Sequence, residues 1–186
     1  MSYIVTSDYG SKRVDIARFA ADLAAELGAT ARPYRDDYPN ENQRIDLPGD
    51  VYLYLRADDH QRRVTVSLSA SDVRHDERNW HDKDQRTIEA SVNPDGRPMA
   101  AIARDVRKRV IEANAPAIAA QRAFAASRRD HAAGIEATAA RIGKVAAVRI
   151  NDDRLGASIY LNRNGAYLGA RINSSNSITI DRFGSI

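Results

Sequence analysis

Residues 97–144 read RPMAAIARDVRKRVIEANAPAIAAQRAFAASRRDHAAGIEATAARIGK, an Ala- and Arg-rich block between two groups of strand-like segments. The block contains ten Lys and Arg against four Asp and Glu, a net charge of +6. The rest of the chain has 18 basic and 21 acidic residues and a net charge of −3. Because the apolar residues of the block recur at helical spacing, we expect a basic helical element in the middle of the chain.

Pro116 divides this block, since a proline inside a helix removes a hydrogen-bond donor and collides with the preceding turn. We predict two helices that meet near residues 114–116. The first carries a regular apolar stripe made of Met99, Ile102, Ala103, Val106, Val110 and Ala113. The second, residues 117–142, has few large apolar residues among many alanines, namely Ile118, Phe124, Ile135 and Ile142. We expect this thin stripe to pack on another helix or to stand partly exposed.

The N-terminal part predicts one helix followed by a long loop. Residues 11–28 place apolar side chains at helical spacing, with Ser11 as a suitable N-cap and Gly28 as a suitable C-cap. Residues 29–50 contain three prolines and many charged residues, which predicts a surface loop. Loops of this length are unusual and are often functional.

Strand patterns occupy two further regions. Residues 51–55 and 63–69 alternate apolar and polar side chains and predict a hairpin, and Ile88, Ala90 and Val92 predict a third strand. After Val145 the pattern predicts about four more strands. Asn164-Gly165 predicts a two-residue hairpin turn, which places Leu161 opposite Leu168, Asn162 opposite Tyr167 and Tyr160 opposite Gly169.

The sequence therefore predicts an α+β fold. It has an N-terminal helix with an antiparallel three-stranded sheet, a central Ala- and Arg-rich helix pair, and a C-terminal antiparallel β-meander. We expect a single domain over residues 1–186, with two sub-domains, residues 1–115 and 116–186, as the alternative.

The order helix, three strands, helix in residues 11–113 resembles the topology of double-stranded RNA-binding domains. The second helix of that family opens with a Lys-Lys-x-Ala-Lys-like cluster, whereas Arg97-Pro98-Met99-Ala100-Ala101 stands here. The segment 29–50 is also longer than the corresponding loop. The resemblance therefore implies no functional residues in this chain.

Composition excludes several classes of function. The chain has no cysteine, which excludes disulfides, Cys-ligated zinc, iron–sulfur clusters and a thiol nucleophile. Its 186 residues are 43% hydrophobic and 28% charged, as is typical of a globular protein. The sequence has neither a signal-peptide pattern nor an apolar run long enough to span a membrane. We expect a cytoplasmic protein that does not contact membranes.

Nucleic-acid binding is the function that the charge pattern favours. Basic residues of the central block can neutralise phosphates, and outward residues of the C-terminal hairpin can stack on bases or sugars. The candidate binding residues are Arg104, Arg107, Lys108, Arg109, Arg122, Arg128, Arg129, Tyr160, Tyr167 and Arg171. The competing interpretation is a solvated Arg-rich surface without a ligand.

Two alternatives stay open. Residues 117–142 could dock a protein partner or a second copy of the chain, because their apolar stripe is thin. The His- and Asp-rich segment 72–85 could bind a metal ion in a hydrolase, although its spacing matches no known metal motif. Its candidate ligands are His75, Asp76, Glu77, His81, Asp82 and Asp84.

No stretch has the pattern of a nucleophile elbow or a phosphate-binding loop. We assign no catalytic residue, metal or cofactor, and we expect a non-enzymatic binding protein. Because no motif is diagnostic, our hypothesis is an accessory factor of a phage or another mobile element. It would act on nucleic acid or on a nucleic-acid-handling complex.

Overall fold

The fold is taken from a computed structural model of the whole chain. The structure describes residues 2–6, 10, 12–38, 41–58, 60, 62–79, 81–144, 147–151, 156–163, 166–174 and 177–185. For residues 161–163, 166–168, 174 and 181–185 it describes the backbone only.

The described chain is a mixed α+β protein, which confirms the predicted fold class. The chain divides into two compact units, residues 1–122 and residues 123–186. The elements are β1 (Ile4–Thr6), β2 (Lys12–Val14), α1 (Ile16–Leu27), β3 (Thr30–Pro33), β4 (Asn42–Leu47), β5 (Val51–Asp58), β6 (Arg63–Ala70), β7 (Ala90–Val92), α2 (Met99–Val106), a π-helical segment (Arg107–Glu112), α3 (Ala113–Ile142), β8 (Ala147–Ile150), β9 (Ala157–Arg163), β10 (Ala166–Ser174) and β11 (Ser177–Ser185).

Helix α1 begins later than predicted. Its N-cap is Asp15, whose carboxylate accepts the backbone N–H of Arg18 at 3.1 Å. The predicted cap Ser11 lies outside the described residues, and residues 12–14 form β2, which pairs with β1. The C-cap Gly28 is confirmed, with a φ of 68° that only glycine adopts at little cost. Asp15 is the better cap because it directly precedes the buried residue Ile16.

The prediction of a loop over residues 29–50 was wrong. This segment supplies β3 and β4, so the sheet of the first unit has five antiparallel strands in the order β3-β4-β5-β6-β7. Pro33 is tolerated because it ends the edge strand β3, where the proline nitrogen needs no ladder partner. Gly49 and Asp50, with φ values of 81° and 54°, turn the chain from β4 into β5. Five strands instead of three also separate this fold from the double-stranded RNA-binding topology.

The predicted hairpin of the first unit is confirmed as β5 paired with β6, with Leu53 opposite Leu68 and Leu55 opposite Val66. These four side chains are buried and form the apolar face of the sheet. Helix α1 packs against β3, β4 and β5, and α2 packs against α1. The helices therefore lie on the apolar face and leave the opposite face of β3 to β6 to polar and aromatic side chains.

The third predicted strand is shorter than expected. It covers Ala90–Val92 and pairs with β6. Ile88, predicted as one of its apolar residues, is 60% exposed. The backbone of Ile88 bonds instead to the side chain of Asn114, which therefore ends the strand pairing at this point.

The prediction of two separate central helices was also wrong. The chain is helical without a break from Met99 to Ile142, and Pro116 lies inside α3. The π-helical segment ends at Glu112, four residues before the proline, and changes the hydrogen-bonding pattern of the turn that a proline would disturb. The side chain of Asn114 also donates to the carbonyl of Val110 at 2.8 Å. The helix therefore continues through a proline that a regular α-helix would not tolerate.

The second unit contains the predicted C-terminal meander, with strand order β11-β10-β9-β8 and antiparallel pairing throughout. The predicted register is confirmed, because Leu161, Asn162 and Tyr160 pair with Leu168, Tyr167 and Gly169. The turn residues Asn164 and Gly165 themselves lie outside the described residues. Two residues of the thin stripe of α3, Ile135 and Ile142, pack on this sheet. The core there consists of Ile135, Ala139, Ala157, Ile159, Ala170 and Ile172, with Ile142 partly buried against it.

Candidate functional site

Four of the predicted binding residues form one surface, which we call the basic helix surface. It consists of Arg104 at the end of α2 and Arg107, Lys108 and Arg109 in the π-helical segment, and all four side chains are exposed. Residues three and four apart on a helix are neighbours, so Arg107 and Lys108 adjoin Arg104. On the opposite side, fully buried apolar side chains hold the helix in the core, namely Ile102, Val106 and Val110.

The acidic residue within this run, Asp105, is engaged by another arginine. A guanidinium nitrogen of Arg97 lies 2.7 Å from a carboxylate oxygen of Asp105. The hydrogen bond from Arg97 lowers the pKa of the Asp105 carboxyl, and the charges of Arg109 and Arg104 act in the same direction. Asp105 is therefore ionised at neutral pH, and its charge is balanced first by Arg97.

Arg122 has intramolecular partners. Its guanidinium donates to both carboxylate oxygens of Asp72, with the shortest distance 2.9 Å, and to the backbone carbonyl of Gly49 at 2.6 Å. It thereby fixes the turn between β4 and β5 against the segment that follows β6. We assign Arg122 a structural role in the first unit.

The remaining predicted residues belong to the second unit. Arg128 lies one helical turn after Phe124 with its Cζ atom 5.9 Å from the ring centroid, and Arg129 is exposed. Tyr160 is 59% exposed on β9, and Arg171 is exposed on β10. The side chain of Tyr167 lies outside the described residues. The predicted set is therefore divided between the two units.

The His- and Asp-rich segment 72–85 uses its carboxylates to hold its own backbone. Glu77 is buried and accepts the N–H of Arg74 at 2.9 Å. Asp82 accepts the N–H of Asp84 at 3.0 Å and the side-chain amide of Gln85 at 3.1 Å. In the part of the chain that the structure describes, no group of three or more His, Asp or Glu side chains could hold a metal ion.

The open face of the first sheet contains a site that the sequence analysis missed, which we call the tyrosine pocket. It is a cavity of about 450 Å³ between the sheet face and the segment after β6. The side chains that define it are Tyr34, Arg44, Tyr52, Tyr54, Ser67, Ser69, His75 and Arg78. A volume of this size is typical of small-molecule sites.

Strand alternation and register bring these side chains together. Tyr52 and Tyr54 are two residues apart in β5 and therefore share a face. In the ladder, Tyr54 pairs with Arg44 on one side and Ser67 on the other. Tyr34 follows β3 and continues the ladder, because its N–H donates to the carbonyl of Asn42 at 3.0 Å. The aromatic side chains of the pocket therefore come from β5 and from the residue after β3, and β4 and β6 add Arg44 and the serines beside them.

Charged groups fix the guanidinium of Arg44 within this surface. Its Cζ atom lies 3.9 Å from the ring centroid of Tyr52, a cation–π stack, and its Nε donates to Asp46. The other carboxylate oxygen of Asp46 accepts from Arg32 at 2.8 Å. Burial alone would raise the pKa of Asp46, but the hydrogen bonds from Arg32 and Arg44 outweigh it and lower that pKa. Asp46 therefore remains ionised and holds both arginines.

The tyrosines of the pocket also influence each other. The Tyr34 ring lies edge-on to Tyr54, with centroids 4.8 Å apart, and 6.4 Å from the Tyr52 ring. The charge that Tyr52 would carry when deprotonated raises the pKa of Tyr34, and burial acts in the same direction. Tyr34 therefore keeps its proton at neutral pH and can donate or accept a hydrogen bond.

One sequence signal could have indicated this pocket. Residues 42–47 alternate Gln43 and Ile45 with Arg44 and Asp46, which is a strand pattern. With that strand recognised, the Tyr-x-Tyr pattern of β5 places two aromatic rings on the polar face beside an arginine. The prolines of residues 29–50 obscured the pattern.

No family model, curated protein or solved structure matches the chain. Among the helices of the described residues, none is long and apolar enough to cross a membrane.

Proposed function

We propose that the chain is a non-enzymatic nucleic-acid-binding protein whose basic helix surface contacts the phosphate backbone. The observation that carries the proposal is the exposure of four cationic side chains within residues 104–109, on one helix that is anchored in the core, namely Arg104, Arg107, Lys108 and Arg109. Cations that neutralise phosphates release condensed counterions, and this release supplies most of the affinity for nucleic acid without sequence preference.

The position of the cations supports a phosphate contact rather than a structural use. Arg122 has a structural role in this fold, because its guanidinium is bonded to the carboxylate of Asp72 and to the backbone carbonyl of Gly49. The four residues of the basic helix surface are exposed, and the acid among them is paired with Arg97. A helix fixed by buried side chains also loses little conformational entropy when it binds a ligand.

A salt series of binding measurements tests the proposal. Fluorescence anisotropy with labelled single- and double-stranded DNA and RNA gives the affinity of the full chain at increasing salt. We expect binding at low salt and a linear fall of log K with log salt concentration. Replacing Arg104, Arg107, Lys108 and Arg109 together by Gln should reduce the slope by up to about 3 to 4, since each lost phosphate contact contributes about 0.9 on duplex DNA.

A control variant separates this contact from net charge. Lys12, Arg13, Arg62 and Lys83 are also exposed, and replacing these four by Gln removes the same charge from other elements. We expect a smaller change in slope than in the helix variant. Absence of binding to every nucleic acid at low salt would overturn the proposal, as would equal effects of the two variants.

A further inference from the structure

The tyrosine pocket combines flat surfaces with hydrogen-bonding groups. The ring centroid of Tyr34 lies 4.8 Å from that of Tyr54 and 6.4 Å from that of Tyr52. Ser67 and Ser69 stand opposite Tyr54 and Tyr52 in the neighbouring strand β6. Aromatic faces and hydroxyl groups are therefore directed to the same side of the sheet.

Part of the pocket is ordered before any ligand arrives. Arg44 is stacked on Tyr52 and bonded to Asp46, which Arg32 also holds. The planar guanidinium therefore has a fixed orientation, and an ordered side chain loses little entropy on binding. Tyr34 remains 43% exposed at the rim, so one ring is available for a new stacking contact.

The chemistry of these groups selects a planar, polar and anionic ligand. Nucleobases stack on tyrosine rings and on arginine planes, and hydroxyl groups bond to their polar edges. Arg32 and Arg44 share one carboxylate, Asp46, so the local charge favours an anion. Arg78 adds a further cation at the wall of the pocket.

We propose that the tyrosine pocket binds the nucleobase of a nucleotide, free or within a single strand, and that its phosphate lies near Arg32 and Arg44. The inference goes beyond the function proposed above. Helix α2 packs against α1 on the other face of the sheet, so the pocket binds its ligand on a different surface from the basic helix surface.

Calorimetric titration of the full chain tests the inference, with AMP, GMP, CMP and UMP in one arm and a single-stranded RNA octamer in the other. We expect Tyr34→Ala to weaken binding at least about fivefold, since base stacking on one aromatic side chain contributes this much or more. Tyr38→Ala is the matched control, because Tyr38 is 51% exposed and lies outside the pocket. Binding of monophosphates identifies a free nucleotide, and binding of the octamer alone identifies a single strand.

The wild-type chain provides a second measurement that needs no variant. Amide chemical shifts on titration with a nucleoside monophosphate should change in residues 32, 34, 42–46, 52–54 and 67–78 and leave residues 104–109 unchanged. With the octamer, we expect shifts in the pocket residues as well as in residues 104–109. Binding that the basic helix variant abolishes and Tyr34→Ala leaves intact would overturn this inference while supporting the proposed function. Absence of binding in both arms, or shifts confined to other residues, would also overturn it.

Discussion

The side chain of Asn114 bonds to the backbone of Ile88 as a neighbouring strand would. Its Oδ1 accepts the N–H of Ile88 at 2.6 Å, and its Nδ2 donates to the carbonyl of Ile88 at 2.8 Å. The same Nδ2 donates to the carbonyl of Val110 at 2.8 Å. Asn114 is 1% exposed, so its amide group lies inside the protein, although the side chain of Ile88 is exposed. One side chain therefore joins the segment before β7 to the helix at its π-helical turn.

Replacing Asn114 by Ala should destabilise the protein strongly. The change removes the partner of both the N–H and the carbonyl of Ile88, and each backbone group left without a partner away from water costs about 1–3 kcal/mol. We expect the free energy of unfolding to fall by about 2–4 kcal/mol in urea denaturation.

The control for this prediction is Asn93→Ala. Asn93 is exposed and accepts the N–H of Asp95 at 3.0 Å, where water can replace the lost side chain. We expect a loss of at most about 1 kcal/mol. A similar small loss in the Asn114 variant would mean that water also satisfies the backbone of Ile88.

Local patterns predicted those parts of the fold that depend on neighbours in sequence. Helix α1 follows from apolar spacing and Gly28, and the β9–β10 register follows from the Asn-Gly turn. Strand β4 was missed because the prolines of residues 29–50 obscured its alternating pattern, and β3 was missed because its evidence is not local. Pro33 is acceptable only at a sheet edge, and whether a strand is an edge depends on which strands pair.

The same distinction applies to the central helix and to the candidate site. Whether Pro116 breaks the helix depends on a π-helical turn and on the contacts of Asn114, which no local rule contains. The exposed cations of the basic helix surface could be read from helical spacing. The tyrosine pocket could be predicted only in part: the alternation of β4 and the Tyr-x-Tyr pattern of β5 indicate its polar face, but Tyr34 meets Tyr54 only after β3, β4 and β5 have paired.

Replacing Arg122 by Lys should lower stability but leave the affinity for nucleic acid unchanged. A lysine has one donor nitrogen in place of the planar guanidinium, whose Nε and Nη2 atoms bond to both oxygens of Asp72 and to the carbonyl of Gly49. The pair is partly solvent-exposed, so we expect a loss of about 1 kcal/mol in urea denaturation.

Arg107→Lys on the same helix is the matched control for stability. Its side chain is exposed, and we expect a change within about 0.5 kcal/mol. Unchanged stability of the Arg122 variant together with weaker binding in the anisotropy assay would instead place Arg122 among the phosphate contacts.

Replacing Pro116 by Ala should stabilise the protein. The proline is exposed inside α3, and alanine restores an N–H donor and a favourable helical residue. The greater freedom of the unfolded chain offsets part of this gain. We expect the free energy of unfolding to rise by about 1–2 kcal/mol.

Ala119→Pro provides the comparison. Ala119 is also exposed in α3 but lies seven residues after the end of the π-helical segment, beyond the turn that this segment alters, so a proline there should cost about 3 kcal/mol or more. If Pro116→Ala lowers stability, the proline itself stabilises the π-helical turn and our explanation of the unbroken helix is wrong.

Tyr3 should give the protein a specific sensitivity to alkaline pH. Burial, followed by the hydrogen bond that its hydroxyl donates to Asp22 at 2.8 Å, raises the pKa of Tyr3 to about 12. In the unfolded chain the tyrosine pKa is about 10. The stabilisation is therefore fully present below pH about 10 and is lost as the pH rises towards 12.

Urea denaturation of wild type and Tyr3→Phe across this pH range measures the effect. The phenylalanine variant lacks the titrating hydroxyl, so its stability should fall less steeply between pH 10 and 12. Tyr38→Phe, at an exposed tyrosine, should retain the wild-type dependence. Equal slopes for wild type and Tyr3→Phe would show that Tyr3 titrates at its ordinary pKa in the folded protein. The contact with Asp22 would then contribute nothing to the loss of stability at alkaline pH.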